Sequence, residues 1–359
     1  MQTLRLHVDP DRLNEPESQS SLERAASILR AGGTVALPTE TVYGLGANAL
    51  NSEAVAAIFE AKERPGWDPL IVHVCDREML EMVAGDIPLH VEALMNAFWP
   101  GPLTLLLPKA ASIPDSVTAG RELVGVRMPA HPVALALIRM AGVPVAAPSA
   151  NRFGHTSPTT AAHVLDDLDG RIDAVVDAGP TEFGVESTVL DVTRSPMIIY
   201  RPGAVTLEQI RETGGAVELF CEPQALSSQP REAMPSPGVG LRHYAPKARL
   251  ILVEGEEESL LENLLAEFRV HVSEKTGLML PAELPESAHG GVMYAQLAEI
   301  AEVFDWGPWF DLEELAHRLF AGLRALDAAG CTVILCPVPP ERGIGAAIRD
   351  RLRKAAARP

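Results

Sequence analysis

The chain has 359 residues, 47% hydrophobic and 22% charged, an ordinary globular composition long enough for two domains with cores of their own. Its four cysteines (Cys75, Cys221, Cys331, Cys336) are too few and scattered for a disulfide framework, and none has the CxxC spacing of a structural zinc site. No run approaches the roughly 18 apolar residues of a membrane span, and the opening MQTLRLHVDPDR lacks a signal peptide's apolar core, so a cytoplasmic protein with no membrane partner is expected.

The predicted elements alternate along the chain. SLERAASILRAGG (21–33) has helical spacing and ends on a glycine pair. TVAL (34–37) is a short buried strand that becomes a loop at Pro38. NSEAVAAIFEAKERP (51–65) is a helix capped by Asn51 or Ser52 that must end near Pro65. PLIVHV (69–74) is a strand, HVEALMNAFWPGP a helix stopped by Pro-Gly-Pro, and LTLLLP and LVGVRMP (123–129) are strands. HPVALALIRMAG is a helix with its cap glycine, VPVAAPSAN (143–151) a strand entering a loop, and the 160s a helix capped by Thr159 or Thr160. RIDAVVDAG, STVLDVT and MIIYRPG are three further strands. Residues 221–250 are rich in Pro, Ser and Gly, show no period, and read as a linker or functional loop. Beyond them ARLILVEG, TGLMLPAE and CTVILCPVP are strands. SLLENLLAEFRV, residues 311–329 and GIGAAIRDRLRKAAA are helices. That alternation predicts a small parallel, doubly wound sheet.

The net charge of −18 disfavours polyanions except where cations concentrate. The one basic run, Arg342, Arg349, Arg351, Arg353, Lys354 and Arg358 against Asp350, is expected to be a terminal helix with a solvated face. There is no P-loop, HExxH, GxSxG or HxE…CxxC. Gly44, Gly46, Gly238 and Gly240 form only GxG pairs and read as turn glycines.

What remains is polar residues at strand ends, where α/β folds build sites. Thr39, Glu40, Thr41 and Tyr43 follow the first strand. Lys62 and Arg64 close a helix, ahead of Asp68 and His73. Ser149 and Asn151 follow another strand, ESTVLD gives Glu186, Ser187 and Thr188, and Arg201 ends the last strand. Singly, each has an ordinary explanation in a turn, a cap or a helix dipole. Arg127 does not: an arginine within an apolar strand needs an anionic partner. Together, cations and small hydroxyls suit an anionic, hydrogen-bonding ligand. With no serine–histidine pair or metal cluster beside them, catalysis by positioning and charge stabilisation is expected.

PTETVYGLGANA (38–49), AKERPGWDPLIVHV (61–74), WPGPLTLLL (99–107), VGVRMPAHP (124–132), APSANRFGHTSPTT (147–160), ESTVLD (186–191), YRPGAVT (200–206) and SPGVGLRHYAP (236–246) together resemble the YrdC-type L-threonylcarbamoyladenylate synthases. SPGVGLRHYAP and the α/β tail look like the family's longer, two-domain form. The resemblance implies an α/β protein: a YrdC-like twisted mixed sheet with flanking helices and a concave active-site face over 1–218, a linker (219–247) folding over that site, and a smaller Rossmann-like parallel-sheet domain over 248–359. It implies a nucleotidyltransferase joining L-threonine, bicarbonate or CO2 and ATP into threonylcarbamoyl-AMP and pyrophosphate. The product would feed the threonylcarbamoyl-transferase machinery that modifies tRNA adenosine 37, without direct tRNA binding here. Carried over by motif, Thr41, His73, Arg127, Ser149 and Ser187 would hold threonine. Arg64, Asp68, Leu123 (through backbone), Asn151, Thr159, Arg201 and Tyr244 would contact ATP. Lys62 and Arg64 would act on the phosphates, with Mg2+ accompanying ATP and no metal held by the protein. Asp68, where many members have Asn, suggests a ribose, base or Mg2+ contact. The alternative of another class is an RNA-binding module, which the acidic balance and the lack of aromatic–basic interleaving disfavour.

Overall fold

The computed structural model describes residues 2–220, 234, 236, 239, 243–255, 257–282 and 300–357; Cys221, Gly238 and Gly240 lie outside them. The chain divides into two compact units. One comprises Met1–Phe153, Ser157–Glu182 and Glu186–Gly240; the other comprises Leu241–Pro359 with the short pieces Gly154–Thr156 and Phe183–Val185.

The first unit carries eleven strands in one mixed sheet. In chain order they are β1 (Leu4–His7), β2 (Val35–Leu37), β3 (Gly44–Asn48), β4 (Ile71–His73), β5 (Leu103–Pro108), β6 (Leu123–Arg127), β7 (Val145–Ala146), β8 (Ala174–Asp177), β9 (Thr188–Asp191), β10 (Met197–Arg201) and β11 (Val217–Leu219). Their spatial order is β1-β8-β2-β3-β7-β4-β6-β5-β9-β10-β11. The helices include α1 (Pro16–Arg30), α2 (Ser52–Lys62), α3 (Arg77–Val83), α4 (Val91–Phe98), α5 (Asp115–Thr118), α6 (Pro132–Ala141), α7 (Ala161–Leu168) and α8 (Leu207–Gly214). Leu22, Ala25, Ala26 and Leu29 of α1 and Val133, Leu137 and Ile138 of α6 pack into the main core with β2, β3 and β7.

The expected caps form. Asn51 accepts from the amides of Glu53 and Ala54, Thr160 from that of His163, and Gly142 ends α6 at φ +67°. What ends α2 is Glu63, in the left-handed region at φ +55°; Pro65 lies beyond it. The sequence reading lacked β1, β3, β11, α3, α5 and α8, which are short or without strong periodicity. β3 overturns the turn reading of Gly44 and Gly46: both lie within a strand. A Cβ at Gly46 would sit 2.7 Å from Val145 Cγ1 and 2.8 Å from Leu37 Cδ2, so glycine is there for close packing. Gly46→Ala should therefore lower stability by about 1–3 kcal/mol through overpacking; an unchanged denaturant midpoint would contradict this.

Among its described residues the second unit holds four parallel strands, β12 (Arg249–Val253), β13 (Thr276–Ala282), β14 (Glu302–Pro308) and β15 (Val333–Pro337), in the order β12-β15-β13-β14. With them, among the described residues, are α9 (Glu257–Val270) and the helices here labelled α10 (Leu312–Ala328) and α11 (Gly345–Ala356). β14 escaped the sequence reading because EVFDWGP has charged and Gly-Pro ends around a buried Trp306. The basic run is the helix α11, but its face is not simply solvated. Arg351 is fully buried and pairs with Asp350, Lys354 also reaches Asp350, and Arg349 reaches Glu254 and Glu341. Among the described residues no helix is long and apolar enough to cross a membrane, and no cluster of His, Cys, Asp and Glu could hold a metal ion.

Candidate functional site

Strand register builds the site. His73 stands opposite Arg127 on the β4–β6 ladder. Leu105 pairs with Val126 in the antiparallel β5–β6 ladder, which sets Thr104 beside Arg127. Thr104 pairs with Val189, and Val189 with Arg201 beyond an irregularity in β10. His73, Arg127, Thr104, Val189 and Arg201 thus form one row across five neighbouring strands. Alternate side chains share a sheet face, so this row lies on the face carrying the small cluster of Ile71, Leu106 and Val189, distinct from the main core. Gly125 lies on the same face; a Cβ there would meet Thr104, Ile71 and Leu106 at ordinary distances of 3.4–3.5 Å.

Arg127 is 3% exposed, with two hydrogen bonds and an ion pair at its guanidinium. Nε donates to the Gly101 carbonyl (3.2 Å), Nη1 to Thr41 Oγ1 (2.9 Å), and Nη2 lies 2.6 Å from Glu40 Oε1. Burial alone would raise the Glu40 pKa, but the guanidinium outweighs it and holds the carboxyl below its usual value. Thr41 Oγ1 also shares a hydrogen bond with Thr39 Oγ1 at 2.8 Å.

Burial and then the nearby Arg127 charge drive the pKa of His73 from its usual 6.5 to about 3, so its imidazole is neutral. Its Nδ1 has no hydrogen-bond partner among the described residues. The stability linked to His73 is therefore full above pH 6.5 and is lost as pH falls toward about 3, because in that window the unfolded chain binds a proton that the folded chain refuses. The slope approaches about 1.4 kcal/mol per pH unit. His73→Gln should shrink the drop in urea midpoint between about pH 7 and pH 4; an equal drop in both proteins would refute this.

Lys62 is fully buried at the end of α2, and its ammonium donates to the backbone carbonyls of Ser149 and Asn151 at 2.5 Å each. Burial, then the neighbouring Arg64 charge, holds its pKa well below the ordinary lysine value. Two of its three donor protons are thus engaged in holding the loop after β7. That loop is also stitched to the chain entering β3: Leu45 N–H donates to Pro148 O (2.7 Å) and Ala150 N–H to Tyr43 O (2.8 Å). Ser149 is half-buried and Asn151 fully buried. Tyr43 N–H donates to Pro158 O, which brings the segment with Thr159 alongside. Thr159 is buried and its Oγ1 shares a hydrogen bond with His163 Nδ1 (3.3 Å).

Arg64 turns back past Glu63, donating to the carbonyls of Asp68 (3.2 Å) and Pro69 (2.8 Å) and pairing with the Asp68 carboxylate at 3.0 Å. Burial raises the Asp68 pKa against the opposing fields of Arg64, Lys62 and Arg201. The charges of Arg64, Lys62 and Arg201 all act on this carboxylate, and Arg64 is in direct contact with it. Arg201 donates to Ser187 O (3.0 Å) and Ser187 Oγ (3.1 Å), and Ser187 Oγ shares a hydrogen bond with Thr104 Oγ1 (2.8 Å). Farther along the same face Leu106 and Leu123 line a hollow of about 340 Å³, rimmed by Arg121, Asp191, Arg194 and Tyr200. Met234 N–H donates to Trp67 O, next to Asp68.

The first unit therefore gathers Thr41, Lys62, Arg64, Asp68, His73, Arg127, Ser149, Asn151, Ser187 and Arg201 by direct contacts, fields and register. Tyr244 belongs to the second unit. It is buried there at φ +65°, its ring against Phe320 (5.7 Å between centroids) and under Arg351 (5.2 Å). Sequence reasoning gave no role to Glu40 or Thr104. The signals were a carboxylate next to a buried hydroxyl loop and the one hydroxyl in the apolar LTLLLP.

Buried arginines, a lysine, a neutral histidine and hydroxyls within one α/β unit are the side chains of a protein that binds anionic, hydrogen-bonding groups. A family model described as "telomere recombination" matches residues 27–203, and one described as "threonylcarbamoyl-AMP synthase, C-terminal domain" matches residues 205–357. The threonylcarbamoyl-AMP synthase of Bacillus subtilis (strain 168) is 44% identical over 358 residues, covering 99% of this chain and 98% of the relative. That of Pyrococcus abyssi (strain GE5 / Orsay) is 44% identical over 334 residues, 92% of each. The crystal structure of P. abyssi Sua5 complexed with L-threonine superposes with a TM-score of 0.86 at 41% identity, covering 99% of this chain and 98% of that one. The chain belongs to the two-domain threonylcarbamoyl-AMP synthases, an enzyme family of nucleotidyltransferase type.

Proposed function

We propose that this protein joins L-threonine, bicarbonate or CO2 and ATP into threonylcarbamoyl-AMP and pyrophosphate, the first step of threonylcarbamoyl modification of tRNA adenosine 37. The observation that carries the reading is the buried row from His73 through Arg127 and Thr104 to Arg201. The amine nitrogen of threonine bonds to the carbon of CO2 and loses a proton, giving a carbamate. A carbamate oxygen then bonds to the α-phosphorus as the bond to pyrophosphate breaks. Both partners are anionic, so the step requires cations already in place, their reorganisation cost met during folding. Arg201 and Arg64 are those cations on the phosphate side. Arg127 receives the threonine carboxylate, the neutral His73 and Thr41 meet the hydroxyl, and Ser149 and Ser187 complete the amino-acid pocket. A site that hydrogen-bonds the hydroxyl rejects valine.

ATP contacts then fall to Arg64, Asn151, Thr159, Arg201, the Leu123 backbone and Tyr244. The hollow beside Leu106 and Leu123, mixing an apolar floor with charged donors and acceptors, suits the nucleobase. Asp68 acts first as the partner of Arg64, and its Oδ1, without a hydrogen bond, fits a Mg2+ ion that arrives on the ATP phosphates. Such an ion neutralises phosphate charge. Domain limits of 1–218 and 248–359, with 219–247 as a linker, belong to this reading, and the Met234–Trp67 bond supports a place for that part of the linker beside Asp68. RNA binding has little support, because Arg349, Arg351 and Lys354 of α11 are paired with carboxylates of their own unit.

Pyrophosphate release that requires threonine and bicarbonate together, with threonylcarbamoyl-AMP identified by mass, tests the reading. Release that ignores threonine would overturn it. Cys336→Ala, at a buried thiol whose pKa burial raises well above the usual value, is a control expected to keep the activity.

A further inference from the structure

Glu40 is the residue left unexplained. It is 2% exposed, beside Thr41 and Arg127, and no contact to a substrate group falls to it in the reading above. A buried carboxylate that only neutralised Arg127 would weaken the site for an anion, since the guanidinium's charge would be offset before the substrate arrived. Among the described residues neither carboxylate oxygen meets an aligned hydrogen-bond donor, although Arg127 and the Ala130 amide favour the charged form. An acceptor in that state has capacity for a donor brought by the ligand.

Resting on the proposed function, we propose that Glu40 accepts a hydrogen bond from the amino nitrogen of the substrate amino acid, so that the Arg127–Glu40 pair reads both charges of a zwitterion. The two poles of an α-amino acid sit one carbon apart, and here a cation and an anion sit 2.6 Å apart in one buried pair. The nitrogen keeps at least one N–H as ammonium, as amine and as carbamate. A carboxylate can therefore hold it through the whole sequence, and because Arg127 keeps Glu40 charged, it does so as an acceptor without taking the proton.

The test compares L-threonine with 2,3-dihydroxybutanoate of matching configuration, which keeps the carboxylate and the outer hydroxyl and replaces the amino group with a hydroxyl. Calorimetry on the full chain should show threonine bound at least about tenfold more tightly, as a charge-assisted hydrogen bond requires. Glu40→Gln, similar in shape and still able to bond Arg127, should bring the two ligands within about threefold of each other, mainly by weakening threonine. If Glu40 only positions Arg127, both ligands lose affinity equally, because both carry the carboxylate, and the proposal is overturned. If the wild-type protein binds the two equally, it is overturned without any variant, even where Glu40→Gln fails to fold. If the wild-type protein binds neither while releasing no threonine-dependent pyrophosphate, the proposed function itself fails, a result separable from the other two.

Discussion

In Arg127→Lys, kcat/KM for threonine should fall by about two to three orders of magnitude, while KM for ATP moves less than about threefold. The substitution keeps the positive charge. What it loses is the planar fork that spans the Gly101 carbonyl, Thr41 Oγ1 and the Glu40 carboxylate from one side chain. A lysine nitrogen is a point charge on a flexible stem and cannot hold those three fixed partners and a ligand carboxylate at once. The expected loss corresponds to about 2.7–4 kcal/mol of transition-state binding, the range for one preorganised charge-stabilising donor. Stability should fall by about 1–3 kcal/mol, because the buried Gly101 carbonyl loses its donor while Glu40 still faces a cation. Arg127→Ala is the harsher variant: it strands Glu40 as a lone buried charge at a cost of about 3–5 kcal/mol, a large share of the usual 5–15 kcal/mol. Steady-state kinetics with each substrate varied, alongside denaturant unfolding, separates the two effects. Unchanged threonine kinetics in Arg127→Lys would remove Arg127 from the pocket.

Lys62→Met should be both unstable and nearly inactive. Methionine fills a similar volume, so the loss is chemical. The carbonyls of Ser149 and Asn151 lose the ammonium that both point toward. Each buried acceptor left unsatisfied costs about 1–3 kcal/mol, so destabilisation of about 2–6 kcal/mol is expected. The loop bearing Ser149 and Asn151 would shift with it, and misplacement by about 1 Å is enough for a hundredfold loss of rate. Lys62→Arg should fail as well, since a guanidinium does not fit where an ammonium sits fully buried between two carbonyls. The decisive comparison is the urea midpoint with turnover. A Lys62→Met protein of native stability that loses only turnover would mean that the ammonium acts on phosphate instead of holding the loop.

How much of this was readable before folding depends on the range of each interaction. The helices α2, α6, α7 and α10 were legible because a cap residue, an apolar stripe and a terminator lie within a few positions of one another. Strands such as LTLLLP and CTVILCP announced themselves as apolar runs. β3 did not, because GLGAN shows no alternation, and its glycines serve contacts with Val145 and Leu37 that no local pattern encodes. Of the site, Arg127 was legible as a charge in an apolar strand, where burial demands a partner. Which partner was not: Glu40 lies in a distant loop and meets Arg127 only through the fold. Lys62 was legible as a cation at a helix end, yet its work on two carbonyls of another loop was not.

By itself, then, the sequence determined the α/β alternation, the division into a large and a small part, the residue types at the strand ends and, through eight motifs in order, the kinship. Tertiary structure alone decided which side chains share a surface. The strands β4, β6, β5, β9 and β10 are neighbours in an order that differs from their order in the chain, and a row such as His73, Arg127, Thr104, Val189 and Arg201 exists only once that register is set. Burial and charge pairing follow from it, because the strength of an electrostatic contact depends on separation and on the water excluded around it, and neither is a property of any one segment.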